Sequence, residues 1–298
     1  MQLVPSSSPY RGRFAPSPSG PLHMGSLLSA LGSYLDARAH GGEWLLRIED
    51  IDPPRERPGA DILICKSLLA HGLRWDEEPL YQHNRSSAYD QALACLLSHG
   101  HAYYCICSRQ QLDAGKSIHA ADCPQSQQRP YESAAIRLRI ASEHSCFHDS
   151  MLGPITLASD ADAADVVLLR KDGLYSYQLA VVIDDDYQRI SDVIRGRDLL
   201  ESTPCQIRLQ RLLGLPVPRY GHLPLLLNEQ GQKLSKQNLA RPLDDTRAPA
   251  NLMRCLAALG QPLPPATIRT DCGAILNWAT LHWDRARIPA QDSVQHEE

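Results

Sequence analysis

A short segment near the start of the chain combines residue types that bind phosphate groups. The segment RFAPSPSGPLHMGSL, residues 13–27, passes through a turn rich in proline, glycine and serine before His23 and Gly25, where a helix is predicted to begin. The free N–H groups and the positive dipole end of a helix N-terminus can hold a polyphosphate. An isolated H-x-G triplet is most often an exposed turn, but the longer segment favours a nucleotide site.

A second segment, KLSK at residues 233–236, carries cations suited to the same phosphates. Lys233 and Lys236 follow the apolar stretch HLPLLLN and the turn EQGQ, which places them on a predicted loop. Mobile ammonium groups on such a loop can close over a triphosphate. A K-x-x-K pair by itself is usually only solvated, so its position in the chain has to support this interpretation.

The elements predicted around the first segment are a strand, a loop, a helix and a second strand. An extended entry at residues 11–14 leads through the loop into a helical run at 24–39, and EWLLRIED at 43–50 is typical of a buried strand. The runs ADILICKSLLAHG and SSAYDQALACLLSHG carry apolar residues at helical spacing before a terminal glycine. Helices that alternate with buried strands predict an α/β fold with a doubly wound parallel sheet, whose ligands bind at the carboxyl ends of the strands.

The second half of the chain continues this alternation. We predict strands at AIRLRI, PITLA and DVVLLR, a buried strand at QLAVVIDD that ends in acidic residues, and a helix at 203–213. Two further helices are predicted at ANLMRCLAALG and AILNWATLHW, and the polar tail QDSVQHEE is expected to be frayed.

The composition excludes several classes of protein. The chain has 298 residues, of which 43% are hydrophobic, so it can bury a substantial core. Its formal charge of −4 argues against a protein that coats nucleic acid through bulk charge. The first residues do not have the pattern of a signal peptide, and no window has the length and hydropathy of a membrane span. We therefore expect a cytoplasmic protein, and we expect it to be a monomer.

The nine cysteines are too few and too irregularly spaced for a disulfide framework. Four residues between positions 105 and 132, a segment without regular periodicity, have the types and spacing of a zinc site: Cys105, Cys107, His119 and Cys123. Zinc prefers four thiolate or imidazole ligands in a tetrahedron, and two close pairs joined by a loop can enclose one ion. Asp122 or Tyr104 could take the place of His119, and free thiols in a reducing compartment are the alternative.

The segment RFAPSPSGPLHMGS resembles the signature of the class I glutamyl- and glutaminyl-tRNA synthetases, in which Arg-Phe-Ala-Pro-Ser-Pro-Thr-Gly runs into a His-Ile-Gly-His box. Further resemblances follow in the family's chain order: LRIEDIDPPRE at 46–56, YQLAVVIDDD at 177–186, VIRGRDLL at 193–200, and KLSKQN at 233–238, which is similar to the Lys-Met-Ser-Lys-Ser loop. The match covers residues 10–240. It implies a Rossmann-like class I catalytic domain with a zinc-binding insertion.

The resemblance also implies which residues bind ATP and L-glutamate. The implied ATP-binding residues, of which the histidine and the two lysines are also catalytic, are His23, Gly25, Ser26, Lys233, Ser235 and Lys236. A bound glutamate needs a guanidinium for a carboxylate and an acid for its ammonium group, because buried charges must be paired. The implied glutamate-binding residues are Arg13, Ala15, Ser17, Glu49, Tyr177 and Arg195. Which arginine meets the side-chain carboxylate stays open.

Two alternatives apply to these residues. The charged strand end at Arg47, Glu49 and Asp50 could form ordinary surface ion pairs, and Tyr177 could be an ordinary core residue.

The chain departs from the family's pattern at three positions. Ser26 stands where the box has its second histidine, so a hydroxyl replaces an imidazole near the phosphates. Gln237 replaces the last serine of the Lys-rich loop, and Ser19 replaces threonine but keeps the hydroxyl.

About sixty residues follow Lys236, which is too few for the anticodon-reading region of a full glutamyl-tRNA synthetase. We expect a catalytic domain in two halves, at residues 10–104 and 133–240, with a zinc-binding insertion between them at 105–132. A short helical C-terminal region without an anticodon-binding domain is expected at 241–298. The chain accordingly resembles truncated paralogues of the family. These paralogues activate glutamate with ATP and Mg²⁺ and transfer it to the queuosine base in the anticodon loop of tRNA(Asp).

The RNA contacts are expected from arginines on local positive surface: Arg109, Arg129, Arg137, Arg208 and Arg211. Three other functions are kept as alternatives. They are a glutamyl-tRNA synthetase that charges a tRNA 3′ end, a nucleotidyltransferase that adenylates a small molecule, and a non-catalytic synthetase-like RNA-binding module, which only Ser26 supports.

Overall fold

The computed structural model of the protein describes residues 9–107, 134–139, 145–157, 165–227 and 241–295. The helices of these ranges are α1 (Met24–Ala39), α2 (Ala60–Ala70), α3 (Ser86–Ser98), α4 (Tyr177–Tyr187), α5 (Thr203–Leu212), α6 (Ala248–Ala258) and α7 (Cys272–Leu281). The strands are β1 (Arg11–Phe14), β2 (Glu43–Ile48), β3 (Leu80–Tyr81), β4 (Ala102–Cys105), β5 (Ala135–Leu138), β6 (Ser145–Asp149), β7 (Gly153–Leu157), β8 (Val166–Leu169), β9 (Asp192–Gly196), β10 (Arg219–Leu223), β11 (Leu225–Leu227) and β12 (Ser293–Gln295).

Parallel strands form the centre of the fold. β1, β2 and β3 pair in parallel in that order, and β9, β10 and β6 pair in parallel in a second sheet. β1 lies beside β9, where the backbone N–H of Ser191 donates to the carbonyl of Arg11 at 3.0 Å. The prediction of a strand, a loop, a helix and a strand over residues 11–50 is therefore confirmed, and so is the parallel α/β character of this region.

Helix α1 connects β1 to β2 and packs against both of them, against β9 and against helices α6 and α7. Its residues Leu28, Leu31 and Leu35 are fully buried as a result. Gly32 permits the close approach of α1 to β10, since a Cβ at that position would lie only 2.5 Å from Cδ1 of Leu223. The helix that begins at the predicted phosphate site is thus fixed on several sides.

The strands of the second half do not all join a parallel sheet. The strands predicted at AIRLRI, PITLA and DVVLLR form β5, β7 and β8, but β5 pairs antiparallel with β4 and β8, and β7 pairs antiparallel with β6. The β6–β7 hairpin turns at Gly153, whose φ of +79° suits glycine. The prediction of a doubly wound parallel sheet is wrong for these strands, because a strand's residue pattern indicates which faces are buried and not the direction of its partner.

Residues 177–187 form helix α4, so the buried strand predicted at QLAVVIDD is wrong. Ser176 caps the helix, and its side chain accepts a hydrogen bond from the N–H of Leu179 at 3.4 Å. Helix α4 packs against α3, α5 and β8, and four consecutive residues, 179–182, are buried there. A short continuous apolar run fits a buried helix as well as a buried strand, so periodicity could not decide between them.

The C-terminal region packs onto the same domain. Helices α6 and α7 form where two helices were predicted, and both pack on α1. Residues 293–295, which were predicted to be frayed, instead form β12, which pairs in parallel with β11. The N–H of Leu225 donates to the carbonyl of Asp292 at 3.0 Å just before this pair. Strand pairing uses backbone groups, so the polar composition of the tail did not reveal it.

Asp36 of α1 joins the beginning of the described chain to its C-terminal region. Its buried carboxylate accepts hydrogen bonds from the Tyr10 hydroxyl, from Nε1 of Trp283 at 2.9 Å, and from Nε and Nη2 of Arg285 at 2.7 Å each. Burial alone would raise the pKa of Asp36, but the hydrogen bonds and charge of Arg285 outweigh it and hold the pKa below its ordinary value.

Across the five described ranges, no helix has both the length and the apolar character that crossing a bilayer requires. The predicted zinc-binding insertion, residues 105–132, lies outside the described residues apart from positions 105–107.

Removing the charge of Asp36 is expected to destabilise the protein. Asp36→Asn keeps the shape of the side chain but removes the carboxylate that accepts both hydrogen bonds from Arg285 and leaves only Asp192, 3.9 Å away, beside that guanidinium, so the free energy of unfolding should fall by about 3 kcal/mol. Urea unfolding followed by circular dichroism measures this loss. Glu77→Gln is the control, because Glu77 pairs with Arg11 at the surface and should change the free energy by less than about 1 kcal/mol. Equal losses in the two variants would contradict the role given to Asp36.

Candidate active site

A cavity of about 820 Å³ opens at the carboxyl ends of β1, β2 and β9. This is the edge of a parallel sheet at which α/β proteins bind ligands. Most of the residues predicted to bind ATP or glutamate line it: Arg13, Ala15, Ser17, His23, Gly25, Ser26, Glu49, Tyr177 and Arg195. The other three, Lys233, Ser235 and Lys236, lie outside the described residues.

Two arginines share one buried carboxylate beneath this cavity. Oδ1 of Asp185, on α4, accepts hydrogen bonds from Nε of Arg13 at 3.1 Å and from Nη2 of Arg47 at 2.7 Å. Burial by itself would raise the pKa of Asp185, but the two guanidinium groups hold it below its ordinary value. Arg13 uses only Nε in this cluster, and its two Nη groups have no acceptor among the described residues. Arg13 therefore presents a two-pronged donor to the cavity.

Glu49 follows β2 and presents a carboxylate that the described residues leave partly unsatisfied. The residue is only 8% exposed, and its Oε1 has no hydrogen-bond partner in the described part of the chain. Nε of Arg47 lies 3.7 Å from that oxygen. Burial raises the pKa of Glu49 to about 7, although the charges of Arg47 and Arg13 act in the opposite direction. Glu49 lines the cavity, and a carboxylate in the wall of a cavity is the complement of a cationic group on a ligand.

Arg195 and Tyr177 form another part of the wall. Arg195 lies near the end of β9 and is 5% exposed, and its Nη1 donates to the Tyr177 hydroxyl at 3.2 Å and to Oε1 of Gln206 at 2.8 Å. Burial raises the pKa of Tyr177. Because the tyrosine oxygen accepts from Arg195, its own proton can be donated to an anion in the cavity.

The N-terminus of α1 lies at the same wall. His23 is the N-cap residue, and its Nδ1 accepts a hydrogen bond from the N–H of Ser26 at 3.2 Å. The N–H of Glu49 donates to the carbonyl of Pro16 at 3.0 Å, which holds the loop before α1 against the end of β2. The positive dipole end of α1 thus adjoins the cavity, an arrangement that favours a phosphate group.

Charged side chains stand at the exposed rim of the cavity. Arg55 and Arg170 both line it, and their side chains are 70% and 42% exposed. Both contact Asp52, which lies between them.

The chain resembles known proteins over almost its whole length. The model of the catalytic domain of class I tRNA synthetases (E and Q) matches residues 10–251. The glutamyl-Q tRNA(Asp) synthetase of Pseudomonas fluorescens is 48% identical over 289 residues, which covers 97% of each chain. That of Pseudomonas aeruginosa is 47% identical over 283 residues, which covers 95% of this chain and 96% of the relative. The chain belongs to the glutamyl-Q tRNA(Asp) synthetase family.

Solved structures of glutamate-tRNA synthetases share the fold. The enzyme from Elizabethkingia anophelis matches with a TM-score of 0.80 and 25% identity, over 97% of this chain and 68% of that one. A glutamate tRNA ligase from Elizabethkingia meningosepticum, in complex with its amino acid, matches with a TM-score of 0.79 and 26% identity, over 97% and 67%. The class I catalytic domain implied by the sequence motifs is therefore confirmed.

Two buried residues near the cavity of this glutamyl-Q tRNA(Asp) synthetase family member, Arg47 and Asp185, are not among the predicted site residues. Arg47 was considered as a member of a surface ion pair, but its side chain is fully buried, so that alternative is wrong for Arg47 and for Glu49. The sequence predicts Asp185 at the end of a strand and indicates no role for it. The position of Arg47 inside β2, whose last five residues are all buried, could have identified it. A buried guanidinium requires a buried acid as its partner.

The described residues contain only part of the predicted zinc site. Cys105 is the buried last residue of β4 and Cys107 is half-buried, while His119 and Cys123 lie outside the described residues. Nζ of Lys171 donates to the carbonyl of Ile106, between the two cysteines, at 2.7 Å. The ranges that the structure describes hold no group of three or more His, Cys, Asp or Glu side chains placed to bind a metal ion.

The arginines predicted to contact RNA are in different surroundings. Arg137 donates to the carbonyl of Asp165 at 2.8 Å, Arg208 is half-buried and Arg211 is exposed. Arg109 and Arg129 lie outside the described residues, so this prediction stays a prediction.

The raised pKa of Glu49 predicts a pH-dependent stability. With a pKa of about 7 in the folded state and an ordinary value of 4.5, the native protein holds a proton that the unfolded chain has lost between these values, so stability falls as the pH rises through this window. Glu49→Gln removes the titration. Between the two ends of the window, the wild type should lose about 3 kcal/mol relative to Glu49→Gln, measured by urea unfolding at several pH values. Parallel profiles for the two proteins would place the pKa of Glu49 at its ordinary value.

Proposed function

We infer that this chain is a ligase that activates L-glutamate with ATP and transfers the glutamyl group to the queuosine base in the anticodon loop of tRNA(Asp), in the cytoplasm. The main support for the proposal is that one cavity contains the Glu49 carboxylate, arginines that can bind an anion, and the N-terminus of α1. Together they match an amino acid with an anionic side chain next to a phosphate group. The identity to glutamyl-Q tRNA(Asp) synthetases over nearly the whole chain supports the choice of acceptor.

The charges around the cavity fit glutamate. The ammonium group of glutamate pairs with the carboxylate of Glu49, which lines the cavity. The carboxylates are met by the Nη groups of Arg13 and by the Tyr177 hydroxyl, which Arg195 polarises through its hydrogen bond. Binding an ammonium group lowers the pKa of Glu49, so the complex holds the carboxylate form.

Activation forms one bond and breaks one. An oxygen of the α-carboxylate attacks the α-phosphorus of ATP, and the bond from that phosphorus to the oxygen bridging to the β-phosphate breaks, so pyrophosphate leaves. The N-terminus of α1 stabilises the charge on the α-phosphate, with His23 beside it and Ser26 as a hydroxyl donor. Lys233, Ser235 and Lys236 contact the remaining phosphates, which Mg²⁺ accompanies as part of the nucleotide substrate.

Transfer uses the activated carbonyl. A hydroxyl of the cyclopentenediol ring of queuosine attacks the carbonyl carbon of glutamyl-adenylate, AMP leaves, and the hydroxyl proton passes to solvent or to the departing phosphate. This step requires no nucleophile from the protein, so the chain's task is to hold the adenylate and to leave its carbonyl accessible. The exposed rim at Arg55 and Arg170 gives the modified base access to the cavity.

The acceptor is tested with labelled glutamate, ATP and two samples of tRNA(Asp), one with queuosine and one without. We expect label only on the queuosine-containing tRNA, because the proposed nucleophile is a hydroxyl of the modified base. Periodate treatment beforehand destroys the cis-diol and should abolish labelling. Equal labelling of both untreated samples would indicate charging of the 3′ end. Adenylate formation without any labelling would indicate an acceptor other than tRNA.

We also propose a structural zinc ion held by Cys105, Cys107, His119 and Cys123. The support is the position of the two described cysteines, which stand two residues apart at the end of β4 and so can approach one ion together. Zinc would crosslink this strand to the segment that follows it and would take no part in the chemistry.

Cys107→Ser is expected to lose the metal and stability together, since structural zinc contributes directly to folding. Zinc content per chain is measured by mass spectrometry after gel filtration, and the melting temperature by calorimetry. Cys95→Ser is the control, because Cys95 lies on α3, where its Sγ contacts Nδ1 of His99, and it is not one of the four proposed ligands. Full zinc content in Cys107→Ser would exclude this residue as a ligand.

A further inference from the structure

Arg195 makes further hydrogen bonds within the protein, besides the two from Nη1 at the cavity wall. Its Nη2 donates to Oγ1 of Thr203 at 2.8 Å and to the carbonyl of Leu199 at 3.2 Å. Its Nε donates to Nε2 of His222 at 3.2 Å. All five N–H groups of this guanidinium therefore have acceptors within the protein. A side chain held in this way has a single orientation, and it meets a ligand through its charge and through the Tyr177 hydroxyl.

The contact with His222 fixes the protonation of that imidazole. An arginine Nε is always a donor, so Nε2 of His222 must carry a lone pair. The ring proton then lies on Nδ1, which donates to Oδ2 of Asp149 at 2.6 Å. His222 and Asp149 have no exposed surface, and burial lowers the pKa of His222, in agreement with a neutral ring.

Asp149 is fixed by the backbone around the β6–β7 turn. Its Oδ1 accepts from the N–H groups of Met151 at 2.9 Å and Leu152 at 3.0 Å, which leaves Oδ2 to His222. The order of hydrogen bonds thus runs from this turn through Asp149 and His222 to Arg195 and ends at Tyr177 on the cavity wall.

We propose that Asp149 and His222 are positioning residues for the amino acid site: by keeping the lone pair of His222 on Nε2, they hold Arg195 and the Tyr177 hydroxyl in the orientation that receives a carboxylate. This inference rests on the proposed glutamate site. Neither residue lines the cavity, so both act through Arg195. Loss of the acceptor at Nε2 leaves a buried Arg195 donor unsatisfied, so the guanidinium shifts from this orientation while its Nη groups keep their four acceptors. The effect falls on the affinity for the amino acid and spares the affinity for ATP.

Two substitutions remove this acceptor by different routes. His222→Asn leaves an amide that reaches Asp149 but places no acceptor at the Nε2 position. Asp149→Asn is nearly isosteric, and its Oδ1 can still accept from the turn, but its amide donates to Nδ1 of His222. The ring proton then moves to Nε2, where it faces the Nε–H of Arg195. His222→Gln is the conservative variant, because its amide oxygen can occupy the position of Nε2.

The experiment is glutamate-dependent exchange of pyrophosphate into ATP, with KM measured for each substrate. We expect His222→Asn and Asp149→Asn to raise the KM for glutamate by about tenfold, as the loss of a hydrogen bond to a charged group does, with less than about a twofold change in the KM for ATP. His222→Gln should return the KM for glutamate towards the wild-type value.

His71→Asn is the matched control. His71 is equally buried and lies outside the cavity, and its ring hydrogen-bonds to the carbonyl of Ser67 and the side chain of Asn251, with Oδ1 of Asp245 3.9 Å from Nδ1. This control should lower the melting temperature and leave both KM values unchanged.

A parallel rise of both KM values in the two variants, or a rise in His71→Asn as large as in His222→Asn, would mean a general structural role and overturn the proposal. If His222→Asn does not fold, the KM values of Asp149→Asn provide the test. An unchanged KM for glutamate in Asp149→Asn would also overturn the proposal. Absence of glutamate-dependent exchange in the wild type would contradict the proposed function instead.

Discussion

The carboxylate of Asp185 is the interaction on which the rest of the site depends. A guanidinium beneath a cavity needs an acid beside it, and Asp185 accepts hydrogen bonds from two of them, Arg13 from β1 and Arg47 from β2. The partners lie 172 and 138 residues away along the chain, so these bonds form only when the second half of the domain docks onto the first. Assembly of the domain and assembly of its anion-binding side are therefore the same event.

Glu49 shows the opposite condition in the same cavity. Asp185 accepts hydrogen bonds from two guanidinium groups, whereas Oε1 of Glu49 is buried without a hydrogen-bond partner among the described residues, and burial raises the pKa of Glu49 to about 7. Native proteins tolerate such local costs where a ligand completes the set of partners. A fully satisfied Glu49 would make a more stable protein with no place for an ammonium group. The position of Glu49 in the cavity wall supports the proposal that a cationic group of the ligand binds at this end of the cavity.

Nine of the residues predicted for the site line one cavity, because the motifs that carry the family resemblance lie at the ends of β1, β2 and β9 and at the N-termini of α1 and α4. The sequence did not allow the partners behind them to be predicted. The acids of α4 are in a continuous apolar run without helical periodicity, so Asp185 was assigned to a strand. Asp149 and His222 are 73 residues apart, and the parallel pairing of β6 with β10 brings them together. Residues that bind a ligand share a local motif, whereas those that position them share only a tertiary contact.

The C-terminal region is part of the same physical system. Helices α6 and α7 bury Leu252, Leu256 and Ile275 completely, in the core cluster that also contains the apolar residues of α1, and Asp36 of α1 is bound to Arg285 beyond them. β12 pairs with β11, the last described strand before residues 228–240, in which the Lys-rich segment lies. The apolar faces of these helices are therefore occupied by the catalytic domain itself. They hold α1, whose N-terminus adjoins the cavity, and β12 extends the pairing of β11.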